Sequence, residues 1–249
     1  RGILDAYREG TRHGIRAGRD GLLAGGTPDE QLTWMDAVAD GRPVTPRHGK
    51  PIEVQALWRR ANQVGADLAR RAGADPGPYA GAADRVAASF PDAYRLAGRP
   101  WLADVPGSDE ALRPNQVLAL ALAGDLVDEA TRWRATGAVR RRLLTPWGLR
   151  TLAPDSLGYV GRCAGSPSER DRAYHQGTAW PWLLGAYGEL VGRDELAELL
   201  SPWPSHLLEG CVGQVAEIFD GEAPHRPRGA VAQAWSVAEL LRSQERLGR

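Results

Sequence analysis

Helical periodicity recurs along most of this chain and restricts it to folds built from packed helices. Between Pro51 and Ala72, apolar residues such as Ile52, Ala56 and Leu68 return every three or four positions, and Pro51 suits the first turn of a helix. Similar patterns cover Arg1 to about Ile15 and roughly 78–97, 114–124, 126–142, 179–191, 193–212 and 230–246. No convincing series of strands accompanies them. We therefore expect an all-α chain of about eight helices.

Two long connections interrupt the helical pattern, at residues 14–50 and 145–178. Both are rich in Gly, Pro, Thr, Asp and Arg, and a third irregular stretch covers 220–229. Long loops on a helical scaffold often carry the functional residues. Since no fixed repeat period is visible, helical hairpins that close into a ring fit the chain better than a superhelical array does.

The charge balance and the cysteines exclude several classes of protein. Lys plus Arg and Asp plus Glu both total 31, so net charge favours neither nucleic acid nor an anionic membrane as partner. Cys163 and Cys211 lie far apart and show no metal-binding spacing, which predicts a reducing, cytoplasmic setting without cofactor or metal. No stretch approaches the roughly 20 apolar residues that a membrane-spanning helix needs.

Tryptophan is unusually frequent, with nine residues against two Phe. Flat aromatic side chains cover the apolar faces of sugar rings, and they also fill protein cores. Composition alone leaves both roles open.

Asp36 is the first candidate catalytic residue. It follows Trp34 and Met35 in the segment QLTWMDA at 31–37 and has no charged neighbour there. Desolvation raises the pKa of a carboxyl group, which is what a general acid requires. The alternative is that Asp36 caps the helix or turn that follows it. Asp40 precedes a glycine and is expected in a turn.

Glu217 is the second candidate. It lies with Asp220 and Glu222 at an expected transition from helix to loop, where Asp220 is typical of a turn and Glu222 of a solvated position. Two carboxyl groups in different environments can act as general acid and general base in glycoside hydrolysis. The chain has no phosphate loop, metal cluster or serine elbow that would favour another reaction.

Two segments offer groups that can bind a neutral sugar. TPRHGKPIEVQALW at 45–58 contains Arg47 and Lys50, which either bind hydroxyl groups, orient carboxylates or are simply solvated. RDRAYHQGTAWPW at 170–182 combines His175, Gln176 and Trp180 near irregular backbone, as a polyol pocket requires. A structural role for His175 is an equally good interpretation.

Seven ordered blocks carry a resemblance to a known family. They are QLTWMDA, TPRHGKPIEVQALW, LRPNQ, TPWGLRTLAPDS, RDRAYHQGTAWPW, EIFDG and AQAWSVAE. In this order they resemble the C-terminal domain of glycogen debranching enzymes, which carries amylo-α-1,6-glucosidase activity.

The resemblance implies an (α/α)6 toroid and an inverting hydrolase that acts on glycogen or a branched α-glucan. Asp36 would be the general acid and Glu217 the general base, with their carboxyl groups about 6.5–9.5 Å apart. The residues that would line the glucose pocket are Trp34, Arg47, Lys50, His175, Gln176, Trp180 and Trp235.

The chain also departs from the family pattern. A ring of six helical hairpins needs more helices than the eight or so expected here, and the family's tryptophan- and arginine-rich segment before DGLL is absent. We therefore expect residues 1–249 to form one catalytic domain, truncated on its N-terminal side to about the last two-thirds. Such a ring would expose a broad apolar strip and self-associate. The alternatives are an inactive glucan-binding fragment, or another α-glycosidase on the same toroid that acts on trehalose or mannosyl substrates.

Overall fold

The computed structural model describes residues 2–209 and 211–248, which form ten α-helices within those ranges. They are α1 (Gly2–Glu9), α2 (Ile52–Arg71), α3 (Gly77–Tyr94), α4 (Asn115–Leu122), α5 (Glu129–Arg142), α6 (Pro167–Tyr174), α7 (Leu183–Gly188), α8 (Arg193–Leu200), α9 (Trp203–His206) and α10 (Ala234–Arg246). Every predicted helical segment overlaps at least one of these helices. Helix α6 is additional and lies inside the predicted loop 145–178, where Ser166 and Glu169 form a reciprocal capping box at its start.

Short strands also occur, so the prediction of an all-α chain is not confirmed, although helices predominate. They are β1 (Arg16–Ala17), β2 (Leu23–Ala24), β3 (Val38–Ala39), β4 (Arg42–Pro43), β5 (Leu144–Thr145), β6 (Gly148–Arg150), β7 (Ala179–Trp180), β8 (Ile218–Phe219) and β9 (Pro227–Arg228). Two antiparallel pairs, β1–β2 and β3–β4, stand beside a five-stranded antiparallel sheet in the order β5-β6-β7-β8-β9. Strands of two or three residues are too short to show the alternation by which a strand is recognised in a sequence.

The first half of the helical core is formed by α2, α3 and α4. Helix α2 packs against both of the others and buries Ile52 and Ala56 completely. Helix α3 contributes Phe90 and Tyr94, whose rings stack with their centroids 4.4 Å apart. These side chains belong to one continuous cluster, so the three helices form a single packed unit.

The second half of the core joins α4, α7 and α10 to the five-stranded sheet. Strand β7 pairs with β8 through Ala179 and Phe219, and with β6 through Trp180 and Leu149. This pairing brings the segment that contains Trp180 next to the segment that begins with Glu217. The sheet thus joins two parts of the chain that lie far apart in sequence.

A tight hairpin connects β3 and β4 directly after Asp36. Asp40 and Gly41 occupy its turn with φ angles of 52° and 75°, which confirms the turn expected at Asp40. The Asp40 carboxylate forms an ion pair with Arg172 and accepts a hydrogen bond from Ser168, both on α6. The hairpin therefore fixes α6 beside the loop that carries Asp36.

An open apolar groove lies between α1 and α2, with a volume of about 1110 Å³. Leu57, Ala61, Val64 and Leu68 of α2 line one side at helical spacing, and Ile3 of α1 lies on the other. Leu57 is 52% exposed and Leu68 is 58% exposed. We call this surface the α1–α2 groove. Of the helices in the described ranges, none is long and apolar enough to cross a membrane.

Candidate active site

Four tryptophans and one histidine pack together where the 34–37 loop, β7 and the start of α10 meet. The Trp34 ring stands edge-on to His175, Trp180 and Trp182, with centroid distances of 5.4, 5.2 and 5.1 Å. Trp235 stacks on Trp182 at 5.0 Å and is 37% exposed. We call these five side chains the aromatic wall. Its exposed edge offers the flat surface on which a sugar ring packs.

Glu217 lies directly before β8, at the start of a strand and not at the expected transition from helix to loop. Its Oε2 accepts the backbone N–H of Ala230 at 3.1 Å, and its Oε1 accepts the side-chain amide of Gln233 at 2.9 Å. Gly229 has a φ of 67°, and a Cβ on it would lie 2.3 Å from Glu217 Oε2. The segment before α10 therefore approaches the carboxylate closely because residue 229 is a glycine.

Asp36 is exposed, although Met35 beside it is buried. The expectation that its apolar neighbours in sequence would desolvate this carboxyl is wrong. Burial raises the pKa of the Tyr174 phenol, and the neighbouring charges of Glu217 and Asp36 raise it further. Both carboxylates thus lie within electrostatic range of one hydroxyl group.

His175 is fully buried within the aromatic wall, where its ring stacks on Trp180. Burial, and secondarily the charges of Arg113 and Arg47, lower its pKa to about 3, so the imidazole is neutral at physiological pH. Its Nδ1 accepts the backbone N–H of Ala37 at 3.4 Å. These contacts match the structural interpretation of His175.

Gln176 holds loops together at the edge of the site. Its Nε2 donates to the carbonyl oxygen of Val44 and to the hydroxyl of Thr45, each at 3.0 Å. Its Oε1 accepts from Arg113, which also donates to the carbonyl oxygen of His175 at 3.2 Å. The side chain is half-buried, so contact with a ligand stays a prediction.

Arg47 and Lys50 both form ion pairs. Arg47 donates two hydrogen bonds of 2.6 Å to Glu53 and one of 2.6 Å to Asp104, and all three residues are buried. Burial by itself would lower the pKa of Arg47, but the charges of Asp104 and Glu53 raise it. Arg47 thus matches the alternative interpretation, in which it orients carboxylates. Lys50 is half-exposed and pairs with Asp20.

Several residues at this site were not among the sequence candidates. Asn115 accepts the indole N–H of Trp34 at 2.7 Å and donates to Asp104 at 2.8 Å. Asn115 lies within the LRPNQ block and Tyr174 within the RDRAYHQGTAWPW block, but neither was named as a site residue. The sequence around Asp104 does not indicate its role, because its partner Arg47 is 57 residues away.

A cavity of about 390 Å³ opens beside Tyr174 and Gly229, and Gly229 lies against the Glu217 carboxylate. Its lining comprises Cys163, Ala164, Gly165, Arg170, Asp171, Tyr174, Arg228 and Gly229. Polar donors, a phenol and a neighbouring carboxylate suit the binding of a neutral polyol. Within residues 2–209 and 211–248, no group of three or more His, Cys, Asp or Glu side chains is arranged to hold a metal ion.

Comparison with known proteins gives one family and several relatives. Residues 1–242 match the family described as amylo-alpha-1,6-glucosidase. The glycogen debranching enzyme of Saccharomyces cerevisiae is 26% identical, over 67% of this chain and 14% of that protein. The chain thus spans a small part of this curated relative.

Two solved glycosidases share the fold. A GH63 mannosylglycerate hydrolase from Thermus thermophilus, in complex with glucose, has a TM-score of 0.57 and 16% identity over 83% of this chain and 51% of its own. A GH15 glucoamylase from Hypocrea jecorina has a TM-score of 0.57 and 16% identity over 93% of this chain and 45% of its own. The chain covers about half of each.

Proposed function

Because the chain belongs to the amylo-alpha-1,6-glucosidase family, and so to the glycoside hydrolases, we propose that it releases glucose from α-1,6 branch points of glycogen or a related α-glucan. The family match over residues 1–242 is the observation that carries this proposal. The carboxyl pair beside an aromatic wall supports it. A sugar would be held by stacking and by hydrogen bonds.

In the proposed reaction, Asp36 is the general acid and Glu217 the general base. Asp36 donates its proton to the glycosidic oxygen as the bond to the anomeric carbon breaks, and a bound sugar would desolvate this carboxyl. Glu217 takes a proton from the water that attacks the opposite face, which inverts the anomeric configuration. Room for this water requires a separation of about 6.5–9.5 Å between the carboxyl groups.

The predicted pocket residues divide into three groups. Trp34 and Trp235 supply aromatic surface, and we propose that Trp235 makes the main stacking contact because it is the more exposed of the two. Lys50 and Gln176 keep their proposed role as donors to hydroxyl groups. The three buried candidates, Arg47, His175 and Trp180, support the site from behind.

We also propose that residues 1–249 act as one catalytic domain of an (α/α)6 toroid and represent the C-terminal part of it. The coverage of 51% and 45% of the two solved glycosidases supports this proposal. A reducing, cytoplasmic setting is part of the same hypothesis, and the free state of Cys163 and Cys211 is consistent with it.

Glucose release from a phosphorylase limit dextrin tests the proposal, with the anomer followed by NMR. The wild-type chain is compared with Asp36→Asn, Glu217→Gln and the control Glu222→Gln, an exposed carboxylate that pairs with Arg162. We expect β-glucose to appear first, and each catalytic variant to lose about 10²–10⁴-fold in kcat. Near-wild-type rates in both catalytic variants would refute the assignment.

The same assay separates the alternatives. Release of sugar from trehalose or a mannosyl substrate, with none from the dextrin, would assign the chain to a different α-glycosidase. Affinity for glucan without release from any substrate would identify a binding fragment. A version extended at its N-terminus, assayed in parallel, reports whether additional residues are needed for activity.

A further inference from the structure

We infer that Asn115 and His175 are positioning residues that hold the Trp34–Ala37 segment from two sides and thereby place the Asp36 carboxyl. Neither side chain is accessible to solvent, so neither can touch a sugar at the surface. The inference rests on the proposed function, because it treats Asp36 as the general acid. It adds two residues that act through the backbone and through Trp34.

The first anchor is the hydrogen bond from the Trp34 indole to Asn115. An indole N–H can only donate, so the atom of Asn115 that lies 2.7 Å away must be its carbonyl oxygen. The amide nitrogen of Asn115 then faces Asp104 Oδ1 at 2.8 Å, where a carboxylate can only accept. The two partners thus fix the orientation of the Asn115 side chain.

A buried ion network stands behind Asn115. Arg47 donates a hydrogen bond to Asp104 at 2.6 Å and one to each carboxylate oxygen of Glu53 on α2, also at 2.6 Å. All three residues are 4% exposed or less. Charge-assisted hydrogen bonds of this kind, shielded from water, keep their geometry. Through Asn115, therefore, the Trp34 ring is anchored to the longest helix of the chain.

The second anchor is the bond from the Ala37 backbone N–H to His175 Nδ1 at 3.4 Å. A peptide N–H always donates, so Nδ1 must be unprotonated and the imidazole proton must lie on Nε2. Burial keeps the ring neutral, with a pKa of about 3. The ring is itself held by stacking on Trp180 at 5.2 Å. His175 therefore acts as a fixed acceptor over the physiological pH range.

Asp36 lies between these anchors and is exposed, while Met35 is 1% exposed and packs inward. A segment this short cannot move its one exposed carboxyl far while Trp34 and Ala37 are held. Placement matters because a displacement of about 1 Å in a reacting group can cost about 10²-fold in rate. The two anchors thus account for how an exposed acid can keep a defined position.

The experiment compares kcat and KM for Asn115→Ala, His175→Leu and His175→Asn. The last variant restores a polar acceptor near the position of Nδ1. We expect the first two to lower kcat about 10²-fold with KM within about twofold of wild type, and His175→Asn to recover much of the loss. Asn62→Ala is the matched control, since Asn62 is a buried asparagine on α2 that donates to the Trp58 carbonyl oxygen. It should leave kcat unchanged.

Wild-type kcat in both Asn115→Ala and His175→Leu would overturn the inference, as would a His175→Asn variant no better than His175→Leu. If Asn115→Ala does not fold, Trp34→Phe removes the same hydrogen bond while leaving Asn115 bound to Asp104. Wild-type kcat in that variant would equally count against the first anchor.

Amide hydrogen exchange across residues 34–37 provides a readout that needs no substrate. We expect faster exchange in Asn115→Ala and His175→Leu than in wild type and Asn62→Ala, and unchanged exchange would overturn the inference. If exchange accelerates while the wild-type chain hydrolyses no glycoside, the anchors are supported and the proposed function fails. The two hypotheses are therefore tested separately.

Discussion

The aromatic wall and the α1–α2 groove are both apolar surfaces, yet they differ in almost every other respect. The wall is formed by aromatic rings that rest on hydrogen bonds to buried side chains, and Tyr174, which packs against it, lies within electrostatic range of Asp36 and Glu217. The groove has a volume nearly three times that of the cavity beside Glu217. It is lined mainly by aliphatic side chains, and Arg60 is the one charged residue among the described residues that line it. Size alone would therefore favour the groove. Groups that can move a proton distinguish the candidate site.

Helix α2 contributes to both regions from opposite faces. Ile52, Glu53 and Ala56 face the core, whereas Leu57 and Leu68 belong to the stripe along the groove. A helix with two apolar faces buries both of them in a complete core. In an incomplete core, one of the two faces stays exposed. The groove agrees with the apolar strip expected of an incomplete ring.

The largest expected difference between the regions concerns buried charge. Arg47→Met would leave Glu53 and Asp104 buried without their cation, and breaking such a network costs about 3–5 kcal/mol of unfolding free energy. Arg60→Met, on the exposed side of α2, should change it by less than about 0.5 kcal/mol. Denaturant unfolding of both variants measures this difference in unfolding free energy. Equal losses in Arg47→Met and Arg60→Met would refute the prediction.

The next largest effect is a pH dependence of the unfolding free energy, which we expect from the wall and not from the groove. His175 has a pKa of about 3 when folded and about 6.5 when unfolded, so the unfolded chain binds one more proton between these values. The associated stability is fully present above pH 6.5 and is lost progressively as the pH falls towards 3, by about 2 kcal/mol at pH 5.

Unfolding at pH 7 and pH 5 measures this loss. His175→Asn should lose about 2 kcal/mol less than wild type over the interval, whereas Leu68→Ala in the groove should lose as much as wild type. The same slope in His175→Asn and wild type would show that His175 does not remain neutral in the folded protein.

A smaller effect is expected at the exposed edge of the wall. Trp235→Ala removes the ring that stacks on Trp182 and should weaken substrate binding by about 1 kcal/mol, seen as a severalfold increase in KM. Leu68→Ala serves as the matched control, because it also truncates a partly exposed apolar side chain. A comparable change in KM in both variants would show that the wall makes no specific contribution to substrate binding.

The smallest effect on stability is expected in the groove, where association is the informative measurement. Leu57→Asp and Leu68→Asp should alter the unfolding free energy by less than about 0.5 kcal/mol, since both side chains are more than half exposed. We expect the wild-type chain to self-associate and the double variant to be more monomeric in sedimentation experiments. A wild-type chain that is monomeric would contradict the expectation of an incomplete ring.

The sequence predicts the helices well and the contacts between distant segments poorly. Helices α2 and α3 extend over several turns, so their periodicity is clear, whereas β7 and β8 have two residues each and were missed. The misjudged exposure of Asp36 has a similar origin. Its immediate neighbours in sequence are apolar, but the backbone turns its side chain outward while Met35 packs inward.

The roles of Arg47 and His175 depend on partners that local sequence does not reveal. Arg47 meets Asp104 across 57 residues, and Ala37 meets His175 across 138. Sequence reasoning therefore named several residues that lie together in the structure, but it could not separate exposed side chains from the buried ones behind them.

Partners at the candidate site lie far apart in sequence, and this separation sets the order in which their contacts can form during synthesis. The α2–α3 hairpin can pack as soon as it leaves the ribosome, because its contacts are local. Asp36 emerges early, yet Ala37 must wait for His175, and Glu217 must wait for Ala230 and Gln233. A nascent chain released before Ala230 would therefore contain most of the helices while leaving its second carboxylate without these two partners.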